Sequence, residues 1–138
     1  MSSKLNLDVS KRVDITCRRG DTLKVTLTVK DDSGTAVDLS SYSDFKFEVR
    51  TTDTSDTAYA DDDATIILST EDDSSGSKYV SSAVSGTDSN TLTFTASATN
   101  MKAVASGMYV YDIEATNSSS EVQTWLSGLF VVNEDVTV

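Results

Sequence analysis

The residues of this chain that could do chemistry are nearly all carboxylates. Asp and Glu number 22 against 11 Lys and Arg, histidine is absent, and there is one cysteine. Losing histidine removes the commonest general base and the commonest zinc ligand. Paired carboxylates can hydrolyse glycosides when an apolar pocket raises the pKa of one of them. Asp112 and Glu114 come nearest to that pattern, because they lie within the apolar stretch GMYVYDIE. They fall on the polar face of its alternation, so the spacing predicts cross-strand partners for Lys24 or Lys46 rather than an acid–base pair. Cys17 alternates with Val13 and Ile15 and has no histidine or helix start beside it, so it reads as a small core residue and not a nucleophile. The clusters Asp61-Asp62-Asp63 and Glu71-Asp72-Asp73 offer calcium-type oxygen ligands, but lack the spacing of a calcium loop and read as charged loops. Arg19-Gly20-Asp21 reads as a turn entering a strand. Trp125, beside Leu126, reads as core. With Tyr59 and Tyr79 in loops it keeps one alternative open, a carbohydrate-binding adhesion module. The expectation is a protein that is not an enzyme and carries no cofactor and no metal.

The bulk properties narrow the partners. A net charge of −11 and a pI near 4.2 leave nothing to displace counterions from phosphates, which argues against nucleic acid and against an anionic membrane surface. One cysteine excludes an intramolecular disulfide, and the opening MSSKLNLDVS has no apolar stretch of the kind that directs secretion. The expectation is a chain folded in a cytoplasm. At 138 residues it reads as one domain, residues 1–138, long enough to bury a core without a staple. Ser and Thr supply roughly 30% of the chain, and Thr sits mostly opposite apolar residues, which marks the wet face of strands.

The elements that would position these residues are strands. The hairpin from Gly107 onward carries the heaviest apolar mass. Tyr109, Tyr111 and Ile113 share one face, Asn117-Ser118-Ser119-Ser120 supplies the turn, and Leu129-Phe130-Val131-Val132 reads as a strand buried on both faces. Leu23, Val25, Leu27 and Val29 alternate with Lys24, Thr26, Thr28 and Lys30 in the clearest half-buried strand. Phe45, Phe47 and Val49 form another, and Leu92, Phe94 and Ala96 a third. ATIIL at 64–68 and the stretch from Tyr79 to Gly86 read as weaker strands. Residues 96–105 have helical composition, with Met101, Val104 and Ala105 on one face and Gly107 placed to end the helix. The sum is an all-β, antiparallel, Ig-like β-sandwich of seven to nine short strands, with one short helix before the C-terminal hairpin.

Three segments in this order resemble a known family. They are RRGDTLKVTLTV followed by DDSG, then VDLSSYSDFKFEVR, then ASGMYVYDIEATNSSSEVQTWLSGLFVVNEDVT. Together they are similar to small β-sandwich proteins of tailed bacteriophages, the virion-attached N-terminal domains of baseplate and receptor-binding proteins. The Ser- and Asp-rich middle, 51–86, departs from that pattern. The resemblance implies a non-enzymatic virion structural or adaptor protein, in or near the tail or baseplate. Its implied partners are other virion proteins, as a homo-oligomer or a ring, in a particle assembled in the bacterial cytoplasm. A capsid decoration protein is the alternative within the same class.

The chain ends carry the candidate interface. Residues 1–11 read as an edge strand or an extended arm, with Leu5, Leu7 and Val9 at alternate positions. That pattern suits adding a strand to a partner's sheet edge. Val136 and Val138 in the tail are expected to join Leu5, Leu7 and Val9 against neighbouring subunits.

Overall fold

The computed structural model describes residues 11–51, 66–71 and 78–134. Among them are nine strands: β1 Lys11–Arg12, β2 Ile15–Arg18, β3 Leu23–Thr28, β4 Asp44–Arg50, β5 Ile66–Ser69, β6 Ser81–Ser85, β7 Thr91–Ala96, β8 Gly107–Thr116 and β9 Val122–Asn133. One helix, α1, spans Ala98–Lys102, and a 3-10 turn spans Leu39–Ser41. The strands form two sheets. The larger runs β1-β9-β8-β4-β5, with β2 also on β9; the smaller runs β3-β7-β6. Their inner faces pack together as the expected all-β sandwich.

The alternating stretches form strands because each has one apolar face to bury. In β4, Phe45, Phe47 and Val49 face inward; in β7, Leu92, Phe94 and Ala96 do so; in β8, Tyr111, Ile113 and Ala115. Phe47 is the hub. Its ring lies 5.2 Å from that of Phe94 in the opposite sheet, 5.6 Å from Tyr111 and 6.4 Å from Phe130. Edge-to-face and offset contacts at these distances are favourable beyond the area they bury.

The turns use the expected chemistry. Gly20 and Gly34 take φ of +85°, which costs glycine nothing. In the β8–β9 turn, Asn117 Oδ1 accepts hydrogen bonds from the amides of Ser119 and Glu121, and Ser120 takes φ +64°. Ser97 caps α1 by accepting from the Asn100 amide.

Several expectations are corrected. The run Leu129-Phe130-Val131-Val132 is not covered on both faces: Phe130 and Val132 are buried, while Leu129 and Val131 are half-buried on the outward side of the larger sheet. No second layer among the described residues covers that side. Ala105 is exposed, and the buried residues of the helical segment are Met101 and Val104. Gly107 opens β8, and the helix ends earlier, at Ala103. The expected strand at 64–68 appears as β5, Ile66–Ser69, while Ala64 and Thr65 lie outside the described residues. Val13 is exposed because it sits in a break between β1 and β2.

That break shows a pairing the alternation did not disclose. β1 and β2 run parallel to β9, with Arg12 beside Ser127 and Ile15 beside Phe130. Between them the residue pairing breaks at Val13 and Asp14; the Val13 amide still donates to the Ser127 carbonyl at 2.9 Å, and side chains supply the remaining contacts. The Leu129 amide donates to Asp14 Oδ1 at 3.0 Å, and the Tyr111 hydroxyl donates to the Val13 carbonyl. Lys11, placed in the arm by the sequence, belongs to β1. Leu5, Leu7, Val9, Val136 and Val138 lie outside the described residues.

Candidate functional site

The outward face of the larger sheet carries a groove of about 490 Å³, lined in part by Lys46, Glu48, Arg50, Asp112, Glu114 and Arg12. Strand register builds it. Lys46 lies opposite Glu114, Glu48 opposite Asp112, and Arg50 opposite Val110. Across the other ladder Asp112 faces Ser127, which neighbours Arg12 on β1. Because successive side chains alternate faces, the charged residues of β4 and β8 must all point away from the core that Phe47 and Ile113 fill.

Glu48 is the anchor. It is only 6% exposed and sits between two cations of its own strand. Lys46 Nζ lies 3.2 Å from its Oε2, and Arg50 Nη2 pairs with its Oε1. The Arg50 guanidinium is in direct contact with Oε1, so the carboxylate is compensated by charge. A buried carboxylate persists when it is paired in this way. For Lys46, burial works to lower the pKa, and the ion pair with Glu48, helped by Glu114 and Glu71, outweighs it and raises the pKa.

Asp112 is the group under stress. Burial, then the nearby charges of Glu114 and Glu48, push its pKa up to about 6, against partial relief from Lys46 and Arg50. Among the described residues, the ion pairs of this face engage Glu48 and not Asp112. The sequence placed Asp112 and Glu114 on the polar face with a lysine opposite, and Lys46 is that lysine. Lys24 is not: it lies in the smaller sheet, opposite Thr95. What the sequence did not show is Glu48, because a glutamate on the wet face of a half-buried strand carries no sign that its neighbours will close over it.

A carboxyl whose folded pKa exceeds its unfolded value favours folding below the unfolded value, and that advantage is lost as pH rises through the folded one. For Asp112 the window therefore runs from about pH 4 to about pH 6. Asp112→Asn should be more stable than the parent at pH 7 by on the order of 1 kcal/mol, after discounting for the solvent that screens a partly covered carboxylate. The difference should vanish near pH 4. Thermal melts of both proteins from pH 4 to pH 8 check this; parallel curves would contradict it.

The other candidates fall in ordinary places. Cys17 is half-buried, its thiol donating to the Val131 carbonyl, and burial followed by the charge of Asp21 raises its pKa. That opposes thiolate chemistry. Arg19-Gly20-Asp21 is a turn, with Arg19 engaged by the Lys102 carbonyl and by Glu134. Trp125 is partly buried at one end of the core, 5.5 Å from the Tyr42 ring and 5.9 Å from Phe45. A bulge puts it there. Ile113 pairs with Leu126 but Glu114 with Thr124, so Trp125 is the extra residue of β9. Tyr79 is exposed, and Tyr59 lies outside the described residues. Asp61, Asp62, Asp63, Asp72 and Asp73 also lie outside them, and among the described residues no three His, Cys, Asp or Glu gather as metal ligands.

No protein-family model matches this chain, and no curated protein matches it. Among solved structures it is similar to CopC from Methylosinus trichosporium OB3b, with a TM-score of 0.44 and 11% identity over 95% of this chain and 90% of that one.

Proposed function

We propose that this chain is a non-enzymatic structural or adaptor protein of a tailed-phage virion, in or near the tail or baseplate, acting through protein–protein contacts. The resemblance of its three segments supplies the phage context. The observation in the fold that carries the adaptor reading is the half-desolvated charge face of the larger sheet. There Glu48 is nearly buried with Lys46 and Arg50, and Asp112 is left short of compensation. A face of fixed, mixed charges selects a partner with the complementary pattern and penalises others. It offers no enclosed, water-free pocket in which to run a reaction. The three segments of the resemblance fall on the Gly20 turn with β3, on the Leu39–Ser41 turn with β4, and on the β8–β9 hairpin. These elements make the frame of the sandwich and contribute both strands that bear the charge face.

The test is location. A cryo-EM map of the particle should contain this sandwich in a tail or baseplate ring. Hundreds of copies on the capsid surface would move the assignment to a decoration protein. Absence from purified virions would overturn the reading. Asp112→Arg, with the isolated fold intact, should reduce incorporation at least tenfold.

A further inference from the structure

The smaller sheet ends in a strand with an unusual edge. β6, Ser81-Ser82-Ala83-Val84-Ser85, is exposed at every residue and hydrogen-bonds to β7 alone among the described strands. It carries no charge, no proline and no bulge, the devices that keep sheet edges from pairing with other chains. The other edges are guarded. β3 bears Lys24 and is followed by Lys30, β1 and β2 bear Lys11, Arg12 and Arg18, and β5 is bridged at Ser69 by Tyr79. The inner layer is also unfinished beside β6. Ser82 and Val84 lie opposite Phe94 and Leu92, both fully buried, so they are on the core side of the sheet. Yet Val84 is 37% exposed.

We infer that the open edge of β6 accepts the N-terminal arm of a second copy of this chain as an added strand, with Leu5, Leu7 and Val9 extending the inner layer over Val84. The arm has the form such a strand needs, with apolar residues at alternate positions so that one face can seat against the core side. It cannot be the chain's own arm. β1 lies four strand spacings from β5, about 19 Å, and β6 follows from the β5 side of the molecule in the second sheet, roughly 10 Å further. Val9 is two residues from Lys11, a reach of about 7 Å. The donor must come from a neighbour. The charges do not oppose it: the arm carries Lys4 and Asp8, and β6 carries none. The inference rests on the adaptor reading only in taking the chain to be one that assembles.

Two variants of the full chain test it. One lacks residues 1–9 and keeps its β6 edge; the other, Val84→Lys, keeps its arm and places a charge on the core side of the edge. The parent should sediment at a mass at least twice the 14.8 kDa of one chain. Each variant should sediment as a single copy, with unchanged far-UV circular dichroism and the melting temperature of the parent diluted to a single copy. Mixed, they should form a complex containing both, because one supplies the arm and the other the edge. A synthetic peptide of residues 2–10 should bind the truncated chain in calorimetry, and lose at least tenfold in affinity when Leu5 and Leu7 are replaced by Asp. A parent that stays a single copy, a Val84→Lys chain that assembles like the parent, or a truncated chain that melts earlier than the parent diluted to a single copy would each overturn the inference. All of these are read in solution, whereas the adaptor reading stands or falls on the particle map, so failure of one is distinguishable from failure of the other.

Discussion

Replacing Phe47 by alanine should cost about 4 kcal/mol of stability, the usual loss for deleting a buried phenylalanine. Phe47 is fully buried and joins the two sheets through Phe94, while touching Tyr111 and Phe130 in its own sheet. Three aromatic rings meet at this one side chain, and its loss leaves a void that no single neighbour can fill by a rotamer change. Domains of this size are stable by roughly 5–15 kcal/mol, so the variant should sit close to the unfolding threshold. Its melting temperature should fall by about 15 °C. Phe47→Leu keeps most of the volume and should lose no more than about 1.5 kcal/mol. Urea titrations of the three proteins check the ranking. Equal midpoints for Phe47→Ala and the parent would mean the two sheets are not joined through this ring.

Gly128→Ala should cost about 3 kcal/mol, although it adds a single methyl group. A Cβ at Gly128 would overlap the Val13 carbonyl oxygen and lie 2.8 Å from Asp14 Oδ1. Both atoms are already committed: Val13 O accepts from the Tyr111 hydroxyl, and Asp14 Oδ1 from the Leu129 amide. Neither is the end of a long side chain that can swing aside. The methyl group would therefore push β1 and β2 off β9 and strand a buried phenol. Tyr111→Phe alone removes one hydrogen bond and should cost about 1 kcal/mol. The double variant should lose less than the sum, because Gly128→Ala has already displaced the acceptor. Thermal melts of the four proteins give the cycle, and strict additivity would separate Gly128 from the Tyr111 contact.

Much of the frame was legible because it depends on local periodicity. β3, β4, β7 and β8 each announce a buried face by strict alternation, and the turn residues between them supply the φ values those reversals need. The site was legible only in half. Alternation puts Asp112 and Glu114 on a polar face, but it left Lys24 and Lys46 equally eligible as the lysine opposite, because it does not say which strand becomes the neighbour. The burial of Glu48 and the crowding of Asp112 depend on a register between β4 and β8 that no local pattern encodes.

What the sequence by itself determined is the class of protein: strands with one wet face, an acidic surface, and a carboxylate inventory without histidine. Those are properties of residue types and their period, and they hold whichever strands become neighbours. The tertiary structure alone decided which strands those are. The parallel seating of Lys11–Arg12 and Ile15–Arg18 on β9, the bulge that turns Trp125 toward Tyr42 and Phe45, and the bare edge of β6 all arise from pairings between residues distant in the chain. Main-chain hydrogen bonding is the same for every residue except proline, so it leaves no mark in the sequence of which strand it joins.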